Sequence, residues 1–151
     1  MVRSFLIAAC ALAAAGCSAQ AAPDYGWSFQ QDEREGAKLA YGAPSSDDVV
    51  LMMTCAPGSG HVMLSAMTER TREEIVLASG GARDRFSGEV LPSELGGLLL
   101  ETQVEAKSKS LAGFARTGKL SMVAAGGETV SLAARGDERE GVSRFFEVCR
   151  T

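Results

Sequence analysis

The sequence predicts a mainly β domain, a small β-sandwich or partly open barrel closed by a short C-terminal helix. Two observations carry this reading. Short apolar segments alternate with a period of two residues between glycine- and proline-containing turns, and only the last segment changes to a helical period.

The first residues stand apart from that domain. MVRSFLIAACALAAAGC holds one basic residue, Arg3, then an apolar run from Phe5 to Ala15, then small residues, the three-part layout of a secretory signal. The run is shorter than the roughly 20 apolar residues that a spanning helix needs. Ala14-Ala15-Gly16-Cys17 resembles the bacterial lipobox, with Ala14 where that motif prefers Leu, so residues 1–16 are read as a lipoprotein signal peptide and Cys17 as the acyl acceptor. Ordinary cleavage near Ala21, after the A-x-A site Ala19-Gln20-Ala21, is the competing reading and would leave a soluble periplasmic or secreted protein. Ser18 is not the Asp of an inner-membrane retention signal, so the expected destination is the outer membrane of a Gram-negative cell, facing the periplasm. Each buried acyl CH₂ contributes about 0.8 kcal/mol and one chain binds only marginally, whereas the two or three chains of a processed lipoprotein hold permanently. Residues 17–24 are a tether, and 25–151 a single domain.

Within that domain Tyr25, Trp27 and Phe29 alternate over Gly26, Ser28 and Gln30, the pattern of a half-buried strand. Asp32 to Tyr41 reads as a short helix or an irregular approach, and residues 42–47 as a turn. Val49 to Cys55, apolar on both alternations, reads as a central strand that forms a hairpin with His61 to Met67 around Ala56-Pro57-Gly58-Ser59-Gly60. Glu74 to Ala78 and, more weakly, Arg83 to Val90 flank Gly80-Gly81. In Leu98 to Ala106, residues Leu98, Leu100, Thr102, Val104 and Ala106 oppose Leu99, Glu101, Gln103 and Glu105, so one face is polar after its first residues. Lys107-Ser108-Lys109-Ser110 is read as a reversal, followed by strands at Leu111 to Arg116, Lys119 to Ala124 and Thr129 to Ala133. At the C-terminus Val142, Phe145, Phe146 and Cys149 fall at i, i+3, i+4 and i+7, one face of a helix that covers an open side of the sheet.

The four cysteines divide by position. Cys10 leaves with the signal, Cys17 takes the lipid, and Cys55 and Cys149 remain as a pair in an oxidising compartment, which predicts one disulfide. The helix would carry Cys149 inward toward Cys55. Without Arg3 the chain holds 14 basic against 19 acidic side chains, a net charge of −5. Runs such as Asp32-Glu33-Arg34-Glu35 are solvated faces, and no basic stripe is present, which argues against nucleic-acid binding.

Candidate chemistry is sparse. A Cys-His hydrolase would use Cys55 as nucleophile and His61 as base, but the thiol has a better use in the disulfide and no third group orients the pair. Gly58-Ser59-Gly60-His61 is a turn rather than a nucleophile elbow, and the Gly-Gly pairs lack a phosphate-loop pattern. Met52, Met53, Met63 and Met67 with His61 are soft ligands of the kind that hold Cu(I). Alternation sends Met52 and Met53 to opposite faces, and methionine also fills core gaps. No cofactor is implied.

FARTGKLSMVAAGGETVSLAARG, followed by paired Phe and a near-terminal Cys, resembles the ending of small exported bacterial proteins of the invasion-associated locus B family. The resemblance covers Phe114 to Cys149, with Leu120 and Val130 at core strand positions and Phe145 and Cys149 in a closing helix. That family begins its mature domain with tryptophan closely followed by cysteine, and Trp27 here has no such neighbour. The resemblance implies a β-sandwich without catalytic residues and an envelope or host-interaction role. The expectation is therefore a non-catalytic envelope lipoprotein that supports the envelope or binds an envelope or host protein. Tyr25, Trp27 and Tyr41 would serve as anchors if exposed. An inhibitor of an envelope-attacking hydrolase is an alternative, which calls for a loop that fits an enzyme cleft.

Overall fold

The alternation of apolar and polar side chains becomes two antiparallel sheets and two helices in the computed structural model, which describes residues 24–68, 74–94, 96–123 and 127–150. The signal peptide, Cys17 and nearly all of the tether lie outside the described residues. The strands are β1 (Gly26–Asp32), β2 (Gly36–Gly42), β3 (Val49–Cys55), β4 (His61–Thr68), β5 (Glu74–Ser79), β6 (Ala82–Ser87), β7 (Glu89–Pro92) and β8 (Leu98–Glu105), followed by α1 (Lys109–Thr117), β9 (Ser121–Val123), β10 (Thr129–Ser131) and α2 (Glu138–Arg150). The large sheet has the order β1-β2-β3-β4-β8-β7 and the small one β10-β9-β5-β6. Among the described residues neither closes into a barrel.

β3 and β4 form the expected hairpin, with Met53 opposite Leu64 and Thr54 opposite Met63, and β3 lies inside the large sheet. Three expectations are corrected. Asp32 to Tyr41 is neither helix nor irregular: β1 turns through residues 33–35 into β2, with Asp32 Oδ1 accepting from the amides of Arg34 and Glu35. The turn is of the Asx kind, in which the side chain replaces a backbone partner. Ala37, Leu39 and Tyr41 then alternate, facing Gln31, Phe29 and Trp27.

Leu111 to Arg116 is helical, not a strand. Leu111 and Phe114, three residues apart, bury one face of α1 together with Ser110 and Gly113. Asp84 Oδ2 accepts from the Ser110 amide at 2.7 Å, supplying a partner to the first turn, and the left-handed Gly118 closes the helix on the Phe114 carbonyl. Arg83 to Val90 is divided at Gly88 between two sheets, β6 in the small one and β7 in the large one. A side chain at Gly88 would collide with the Glu101 carbonyl, so the crossing between sheets needs glycine.

One face of the large sheet is apolar, with Trp27, Leu39, Leu51, Met53, Val62, Leu64, Leu100 and Val104 buried. α2 packs against β1, β2 and β4 and contributes Val142, Phe145, Phe146 and Cys149, the four residues that its period sets on one face. Burying each of the large apolar side chains stabilises the domain by about 1.5–3 kcal/mol, which a 13-residue helix requires because it is marginal alone. A chain of aromatic contacts continues inward from the surface: Tyr25 stacks on Tyr41, Tyr41 meets Trp27, Trp27 meets Phe114, and Phe114 meets Phe146 edge-on. Cys55 and Cys149 are joined with an S–S bond of 2.00 Å, 94 positions apart in the chain, which links the end of β3 to the last turn of α2.

Candidate functional site on the outer face of the large sheet

The face of the large sheet turned away from α2 is built by the opposite phase of each strand. It presents Ser28 and Gln30 of β1, Lys38 and Ala40 of β2, Met52 and Thr54 of β3, and His61, Met63, Ser65 and Met67 of β4, with Leu99, Glu101 and Gln103 of β8. A groove of about 460 Å³ lies across it, floored by Met52, Ser65, Lys38 and Ala40 and bounded by Ser46, Asp47, Met67, Ser93 and Leu99. Its lining mixes apolar side chains with hydroxyls, the Gln30 amide and one charge of each sign, Lys38 and Asp47. Ser65 is covered by its neighbours and donates to Glu101 Oε1 at 3.1 Å, while Met67 is 43% exposed.

The wall of the groove at residues 43–48 is tied into shape locally. The Ser46 hydroxyl donates to the Ala43 carbonyl and accepts from the Asp48 amide, and the Ala43 amide donates to the Asp48 carbonyl. The Tyr25 phenol reaches over from just before β1 to donate to Asp48 Oδ2, and that bond to a carboxylate raises the phenol pKa above its ordinary value.

The aromatic anchors separate on inspection. Trp27 is 6% exposed and donates its indole N–H to the Leu132 carbonyl at 2.8 Å, so the condition for its use as a partner anchor is not met. Tyr25 and Tyr41 are half-buried and stacked, with centroids 6.2 Å apart, and leave part of their surface to solvent.

The soft-ligand set is also divided. Met53 is fully buried in the core. Met52, Met63 and Met67 share the outer face with His61, and Met52 and Met67 line the groove. His61 Nδ1 donates to the Ser59 carbonyl at 2.9 Å. Among the described residues no group of three or more His, Cys, Asp or Glu side chains could hold a metal ion. The Cys55–His61 pair does not assemble: Cys55 is bonded to Cys149 on the inner face and His61 stands on the outer one.

Two features escape the sequence reading. The groove crosses β2, whose outward residues Lys38 and Ala40 are visible only once residues 36–42 are recognised as a strand; the alternation of Ala37, Leu39 and Tyr41 is the signal that finds them. The 56–60 turn also does more than reverse the chain, since the amides of Gly58 and Gly60 donate to the carbonyls of Val148 and Cys149 and satisfy the C-terminus of α2.

Comparison with protein-family models, curated proteins and solved structures found no match to this chain. No helix among the described residues is long and apolar enough to cross a membrane.

Proposed function

We propose that this protein is an exported envelope lipoprotein whose domain binds another protein, without catalysis, through the outer face of its large sheet. The observation that carries the reading is the groove itself. It spans strands β1 to β4 and β8 and offers Met52, Met67 and Leu99 among hydroxyls, the Gln30 amide, Lys38 and Asp47. A mixed, broad surface of this kind suits a protein partner better than a small substrate, which calls for a few convergent charged or polar groups in a deeper cavity.

The lipid anchor at Cys17 is supported by the signal and lipobox pattern of residues 1–17. The buried Cys55–Cys149 bond supports the same compartment, because disulfides persist in the periplasm and on cell surfaces and are rare in the cytosol. Ser18, which is not the Asp of an inner-membrane retention signal, supports the outer membrane as the destination.

The reading is tested by isolating the full-length protein from membranes after in-cell crosslinking and recording its intact mass. An acylated Cys17, a mass two protons light and a reproducible envelope partner are the expected result. Free Cys55 and Cys149 thiols, or a retained copper ion, would replace the binding-module reading with the enzyme or metal-binding one.

A further inference from the structure

The outward face of the small sheet repeats none of the features of the groove just described. One row across its four strands runs Ser131 of β10, Ser121 of β9, Ala78 of β5 and Arg83 of β6. Leu77 and Met122, the alternate residues, are buried in the core, which turns this row toward solvent. The short Ala78 side chain and the Gly80–Gly81 turn keep the floor low, and a pocket of about 440 Å³ results. Arg83, Lys119, Ser121 and Ser131 line it, with the Ser121 hydroxyl donating to the Ala78 carbonyl at 3.3 Å, and no acidic side chain is in the lining. Arg116 lies against the same turn from the helix side, where a methyl on Gly80 would come within 3.0 Å of its Nη2.

Among the described residues neither Arg83 nor Lys119 has an ion-pair partner, whereas Arg85, two residues along the same face of β6, is paired with Glu74 at 3.3 Å. In a chain with 19 acidic and 15 basic side chains, a lined pocket that holds only cations and hydroxyls runs against the overall balance. Such a pocket concentrates anions, and a guanidinium, an ammonium and a hydroxyl lining one pocket match a group with several terminal oxygens.

We propose that this pocket binds a phosphate-type oxyanion, with Arg83 and Lys119 as its cationic arms and the Ser131 hydroxyl as a neutral donor. Its position suggests two sources for that group. Ser131 is followed by Leu132, on which Trp27 rests, and Arg135 holds Asp24 at 2.9 Å, so the pocket shares an end of the domain with the start of β1. Seven residues lead from Cys17 to Asp24, at most about 25 Å of extended chain. With the lipid anchor of the previous section in place, a phospholipid headgroup is therefore within reach; without it, a soluble phosphate is the remaining source.

Titration of the full-length protein in neutral detergent micelles, followed by the amide resonances of Gly80, Gly81 and Ser121, tests the assignment. The probes are inorganic phosphate, phosphatidylglycerol doped into the micelle, and chloride at matched ionic strength. Saturable shifts with phosphate, weakened at least tenfold in Arg83→Gln/Lys119→Gln and kept in Arg85→Gln, are the expected result. The same pattern with phosphatidylglycerol alone, absent with phosphatidylcholine, supports the proposal and identifies the headgroup as the source. No saturable shift with either probe, equal shifts with chloride, or shifts unchanged in the double variant would overturn it. An unmodified Cys17 alongside intact phosphate binding would sink the anchor reading alone.

Discussion

The amide of Gly60 donates to the carbonyl of Cys149 at 2.9 Å, so the turn after β3 caps the same residue whose sulfur is bonded to Cys55. Together with the Gly58–Val148 bond, this fastens α2 to the large sheet at the end where the helix has no further turn to complete its hydrogen bonding. The disulfide and the cap act on one junction, and the burial of Cys149 keeps solvent from it.

Removing the disulfide acts chiefly on the unfolded chain. A closed loop of 94 positions corresponds to about 4–5 kcal/mol in the chain-entropy treatment. Cys55→Ser/Cys149→Ser is expected to lower the urea midpoint by a matching amount, and reduction of the native protein to move the midpoint in the same direction. Equal midpoints in the oxidised and reduced forms would show that the packing of Phe145 and Phe146 suffices.

Trp27 is the only tryptophan, and its emission reports one place in the core. Trp27→Phe deletes the donor to the Leu132 carbonyl and leaves that acceptor inside the domain, a loss of about 1–3 kcal/mol. In the native protein, emission is expected at the short wavelengths of a buried indole and shifts to longer ones as the chain unfolds. Emission already at the long-wavelength limit in the folded protein would mean that the ring is exposed and open to a partner.

The Tyr25–Asp48 bond makes a pH prediction. The carboxylate favours the protonated phenol, so the folded-state pKa is raised above the ordinary 10.0. A group raised in the folded state contributes in full below its unfolded value, and the contribution fades as pH climbs through the folded one. Alkaline pH should therefore free the 43–48 wall of the groove. Phenolate absorbance, taken as the difference between wild type and Tyr25→Phe, should titrate above 10, and Asp48→Asn should bring it down. An unchanged titration in Asp48→Asn would remove the link.

Gly113 tests the packing of α1 on β5. Alanine is favoured over glycine in a helix by about 1 kcal/mol. At this position, however, an added Cβ would stand 2.9 Å from the Ser79 carbonyl oxygen, which is fixed backbone. Overpacking of that kind costs about 1–3 kcal/mol. Gly113→Ala is thus expected to lower the thermal midpoint, and a stabilised variant would show that α1 sits farther from β5.

Most of the strands were legible from their patterning: Leu98–Glu105 because one face is buried and the other is polar, and Val49–Cys55 because it is apolar on both alternations, as suits a strand inside the sheet. The closing helix was legible for the same reason at a different period. Leu111 to Arg116 was misread because a short segment with Gly113 and few charges fits either period, and what makes it helical is contact with Asp84, distant in sequence. Residues 36–42 were hidden by the charged run before them, which says nothing about the Asx turn that Asp32 forms. The groove followed that error, since its β2 residues had no assigned face. The small-sheet pocket depends on pairing β9 with β5 across more than 40 residues, which local alternation does not encode.

The account rests on the outer face of the large sheet as the partner surface. The direct measurement is in-cell photocrosslinking of the full-length protein, with a photoreactive amino acid placed in turn at Met67, at Lys38 and, as control, at the exposed Ala112 on α1. The account predicts a discrete envelope-protein adduct from Met67 and Lys38 and none from Ala112. Adducts from Ala112 alone, or none from any position in membranes where the protein is abundant, would contradict it.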